Sequence, residues 1–111
     1  MTLVEFERQV FATALVSAIC GIPVVRRLTS TSINLRLDMT TGGFIDVFYN
    51  EQTGTVAYAL IQQDKRAFGA DNTGSWHVHP FDDPERHDPL LGAMPFAEFV
   101  AEIERHIAHA C

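Results

Sequence analysis

Apolar residues change their spacing along this chain, and the changes mark out its elements. A helix is expected over residues 3–20: Val4, Phe11, Leu15 and Ala18, continued by Ile22, recur near helical spacing, with Val10, Ala14 and Ile19 widening the stripe. Thr2 followed by Glu5 fits a capping box, in which each side chain satisfies the other's backbone N–H. Gly21 can take the left-handed C′ conformation and Pro23 forbids continuation, so the spacing predicts a helix that stops there. Beyond it the period falls to two. Ile33, Leu35, Leu37 and Met39 alternate with Asn34, Arg36 and Asp38, as in a half-buried strand.

Turn residues punctuate the middle of the chain. Thr41-Gly42-Gly43 separates that strand from a second at Phe44–Tyr49, and residues 50–54 form a longer hairpin loop before a third at 55–62. Gln63-Asp64 suits a tight reversal into Lys65–Ala70, and His77–His79 reads as a short fifth strand ended by Pro80. Segments this close leave no room for crossover helices, which predicts an antiparallel meander. Residues 81–93 are charged and proline-rich without periodicity, and read as an exposed loop. Pro95 then opens a second amphipathic helix with Phe96, Phe99, Val100, Ile103 and Ile107 on one face. The expected fold is α+β: one domain over residues 1–111, a β-meander of four to five strands flanked by an N-terminal and a C-terminal helix.

Composition narrows the class. Eight Lys plus Arg against 14 Asp plus Glu give a net charge of −6, which argues against holding nucleic acid by overall charge. Cys20 and Cys111 form no CxxC pattern; Cys20 reads as a buried small residue and Cys111 as a frayed terminus. No membrane span and no signal-like start is legible, and the cytoplasm is the expected location.

The chemistry concentrates around Trp76-His77-Val78-His79. Histidines at i and i+2 of a strand leave the same face, while Trp76 and Val78 turn toward the core. Neutral imidazole is the commonest protein metal ligand, so the pair, with His87 as a third, offers a site for a divalent transition metal. Equally, the two histidines can share general base and general acid roles without any cofactor, with Asp71 orienting one ring and Lys65, Arg66 or, from an earlier strand, Arg36 holding a phosphate. Asp82 and Asp83 are near enough in sequence to orient an imidazole as well. The bland alternative, polar residues on a solvated edge strand, stands beside both readings. Phe44, Phe48, Tyr49, Tyr58 and Phe68 suit core packing better than a stacking platform for bases, and His106 and His109 read as helix-end residues.

The order of these motifs resembles the TumE-like toxins of toxin–antitoxin pairs. The likeness lies in the meander, in Lys65–Asn72 with its Asp71-Asn72 pair, in His77-Val78-His79, and in Pro95-Phe96 opening the last helix. The resemblance implies a small toxin acting on RNA, a partner antitoxin, catalytic roles for His77, His79 and Asp71, and substrate contact through Asn72. A non-catalytic interaction module, homodimeric through an open sheet edge or apolar helix, is the alternative from another class.

Overall fold

The computed structural model describes residues 1–110, the side chain of Ala110 excepted; Cys111 lies outside them. Helix α1 spans Leu3–Val16, strands β1 to β7 span Val24–Leu28, Ser32–Asp38, Phe44–Asn50, Val56–Gln62, Lys65–Asp71, His77–His79 and Asp88–Pro89, and helix α2 spans Phe96–Ala110. The strands lie in the sheet in chain order, each antiparallel to the next. Among the described residues no helix is long and apolar enough to cross a membrane.

This α+β, antiparallel architecture is the expected one, with two departures. The sheet has seven strands rather than four to five. β7 is two residues inside the charged loop, and β1 carries a bulge between Val25 and Arg27 that breaks the two-residue period by which strands are recognised. The first helix also ends at Val16, not at residue 20. Ser17 takes an extended backbone, and Cys20 bridges to Met39 instead of continuing the helix. Its buried face is Phe6, Val10 and Ala14, so Val4 and Leu15, expected inside, are exposed. The Thr2–Glu5 capping box is present, and Gln63 and Asp64 form the tight reversal with φ of 52° and 63°.

Both helices cover one face of the sheet. Phe6 of α1 stacks on Tyr49 of β3 (4.6 Å), and Phe99 of α2 meets Tyr58 of β4 and Phe68 of β5 at 5.0 and 5.1 Å. Ile33, Leu35, Leu37, Ile45, Val47, Leu60 and Ala70 complete this layer. Alternation sends the intervening residues to the other, helix-free face, Phe44 and Phe48 among them, so the five aromatics expected in the core divide between the two faces. Pairing aligns Asn34, Phe48, Ala57, Asp71 and His77 in one row across that open face. This row sets the position of Asp71 and the histidines.

Candidate functional site

Asp71 pairs with His77 and Gly69 with His79 across β5 and β6, which brings the carboxylate and both imidazoles onto the open face. His77 Nε2 lies 3.3 Å from Asp71 Oδ1, and His79 Nε2 lies 3.1 Å from Asp71 Oδ2. His87 arrives from the β6–β7 loop. Its ring stacks on His77 (centroids 4.8 Å, planes 7° apart) and meets His79 edge-on at 4.5 Å. One ligand nitrogen from each of the three histidines lies within 4.8 Å of the others.

Hydrogen-bond partners select the tautomers. The Ser75 carbonyl, 2.8 Å from His77 Nδ1, can only accept, so Nδ1 carries the hydrogen. In a neutral His77 ring the Nε2 lone pair then faces Asp71 Oδ1 at 3.3 Å, two acceptors with no hydrogen between them. For His79, donation from Nε2 to Asp71 leaves Nδ1 as the lone-pair nitrogen. That atom is buried without a hydrogen-bond partner among the described residues, in a side chain only 4% exposed. Leaving a buried polar atom unsatisfied costs about 1–3 kcal/mol. Both rings thus offer a lone pair that lacks a donor.

Burial acts most strongly on Asp71 and raises its pKa, yet the carboxyl sits below its ordinary value. The Thr73 amide, the hydrogen bond from His79 and the nearby His77 together outweigh the desolvation. Because the folded-state value is depressed, the carboxylate contributes stability above the unfolded value and loses it as pH falls through the folded one. Asp71→Asn is therefore expected to flatten the acid limb of the stability profile, most visibly below about pH 4. Urea unfolding across pH 2–7 measures this, and parallel profiles for the two proteins would count against the assignment.

The other residues singled out from sequence go elsewhere. Lys65 is exposed at the β4–β5 reversal, at the far end of β5 from Asp71. The Arg66 guanidinium donates to the Pro84 carbonyl at 3.0 Å. Asn72 is committed to the backbone, accepting from Val56 N and donating to Gly54 O at 2.8 Å each. Arg36 pairs with Asp46 at 3.3 Å and lies 3.9 Å above the Phe44 ring, three strands from β5. None of these cations sits beside the imidazoles. Asp82 pairs with Arg86 at 3.2 Å and Asp83 caps its own loop, so neither reaches a histidine. His106 stacks on Phe81 at 3.6 Å, apart from the cluster.

Two residues that shape the site were not legible from sequence. A Cβ on Gly69 would stand 3.2 Å from the Tyr58 carbonyl and 3.4 Å from Cδ2 of His79, so glycine leaves room for the buried ring to lie against β5. Arg86 holds both Asp82 and Asp88, with Nε 2.9 Å from Asp88, and so fixes the loop on either side of His87. Only contacts across the sheet and loop reveal these roles. In comparison with known proteins, the chain matches no family model, no curated protein and no solved structure.

Proposed function

We propose that this protein binds a divalent transition metal, zinc foremost, through His77, His79 and His87, with Asp71 orienting His79 and the Ser75 carbonyl orienting His77. The observation that carries the reading is the convergence of the three imidazoles, one nitrogen of each within 4.8 Å of the others. Ligand bonds of about 2.0–2.1 Å place nitrogens roughly 3.4 Å apart in a tetrahedral shell. His87, exposed on its loop, is the ligand free to close that gap. A cation beside His77 Nε2 would also relieve the facing acceptors of His77 and Asp71.

Three histidines with a fourth position left to water form the donor set of hydrolytic zinc sites, where the ion makes bound water a nucleophile near neutral pH. Asp71 would play the carboxylate part of the carboxylate–histidine–metal arrangement, and the Ser75 carbonyl its backbone equivalent for His77. The test is metal analysis of tag-free protein, with zinc titration of the wild type and of His77→Ala, His79→Ala and His87→Ala. Near-stoichiometric metal in the wild type, lost in each variant, is expected. Equal zinc affinity in all four proteins would exclude the site.

The second reading is a toxin-like endoribonuclease free of metal, and it draws on the Asp71 carboxylate that holds the His79 ring at 3.1 Å beside His77. RNA as substrate and an antitoxin partner rest on the resemblance to TumE-like toxins. Growth arrest on expression, abolished in the His77→Ala/His79→Ala double variant and unaffected by chelation, would favour this reading over the metal one.

A further inference from the structure

The two edges of the sheet are unlike. β7 is two residues long and includes Pro89, which has no N–H to donate, so that edge offers little to pair with. β1 is five residues long and exposed throughout, with nothing beyond it in the sheet. Val25 and Leu28 stand opposite the buried Leu35 and Ile33 and continue the helix-side apolar layer one strand further. Helix α1 packs on β2 and β3, and Val25 and Leu28 on this ledge remain 39% and 64% exposed. Val16 and Ile22, where α1 ends and the chain enters β1, are 87% and 80% exposed. A groove of about 270 Å³ opens there, lined by Phe11, Leu15, Cys20 and Ile22.

Charge distinguishes the occupants of this edge. In a chain of net charge −6, Arg26 and Arg27 lie side by side on β1; Arg27 faces the open side opposite Asn34, and Arg26 occupies the bulge. A second copy pairing antiparallel about Arg26 would set arginine against arginine, and like charges directly opposite are destabilising. We propose that β1 receives an extended segment of another protein as an added strand, apolar where it continues the Val25–Leu28 ledge and acidic where it meets Arg27. Strand addition of this kind takes affinity from backbone hydrogen bonds and specificity from alternate side chains. The acidic face would also be steered by the arginines, and the binding would weaken with salt.

The test uses the full chain in chelator, which silences the histidine cluster. Two labelled heptapeptides are titrated by fluorescence anisotropy, one alternating valine with glutamate, the other valine with lysine. The glutamate peptide is expected to bind at least tenfold more tightly, Arg27→Glu to invert that order, and Val25→Asp to abolish both, with unchanged circular dichroism in each variant. Equal binding of both peptides by the wild type, or binding of neither, overturns the proposal. So does sedimentation as a dimer that Arg27→Glu or Val25→Asp dissociates, since the edge would then be filled by a second copy.

Discussion

Zinc added in excess to metal-stripped protein is expected to raise its melting temperature by roughly 10 °C, and His87→Ala is expected to erase that gain. A ligand that binds only the folded state stabilises it by about 2.7 kcal/mol at a hundred times its dissociation constant. In a domain of about 100 residues each kcal/mol moves the midpoint by roughly 4–8 °C. The variant is informative because the His87 ring lies on an exposed loop, so its loss leaves the apo core intact. His79→Ala should also lose the increment but from a lower starting point, since its ring is buried against β5. The increment is expected to shrink in acid, because ligation needs neutral imidazoles and releases their protons. A wild type that zinc leaves unmoved, or an increment that survives in both variants, would sink the metal reading.

Phe99→Ala should be the costliest single truncation away from the cluster. Its ring is fully buried and lies among Tyr58, Phe68 and Phe96, at 5.0, 5.1 and 6.4 Å between centroids. Removing a buried phenylalanine typically costs 3–5 kcal/mol, a large share of the 5–15 kcal/mol by which domains of this size are stable. The consequence reaches the open face, because Phe68 and Asp71 alternate on the same strand: one side of β5 anchors α2 and the other carries the carboxylate. Zinc should partly restore the variant by mass action, which links core and cluster in one measurement. A loss of less than about 1 kcal/mol in unfolding free energy, measured by urea titration, would mean that α2 is not what holds β5 in place.

The elements that were legible in advance are those set by neighbours in the chain. The Thr2–Glu5 capping box spans one turn, Gln63-Asp64 folds back on itself, and the alternation of Ile33 to Met39 and the stripe of Phe96 to Ile107 are local periodicities. Each failure has a local cause. The bulge at Arg26 hid β1 by shifting its alternation, and apolar residues on more than one side of α1 concealed which side faced the sheet. A stripe around Leu15 is as helical as one around Val10, and only the position of Tyr49 beneath Phe6 decides between them.

The candidate site divides in the same way. Strand alternation by itself put His77 and His79 on one face and sent Trp76 and Val78 toward the core, where both now pack. Sequence also singled out Asp71 and His87 as neighbours along the chain, but nearness along a chain does not fix a distance in space. Register across β5 and β6 brought Asp71 to both rings, the Arg86 clamp and β7 carried His87 over them, and Gly69 made room beneath. Those same pairings carried Lys65, Arg66 and Asn72 to other partners. Residue type and period determined which side chains can do chemistry and which way a strand turns them. The meeting of those side chains depended on register and loop closure, which only the folded chain decides.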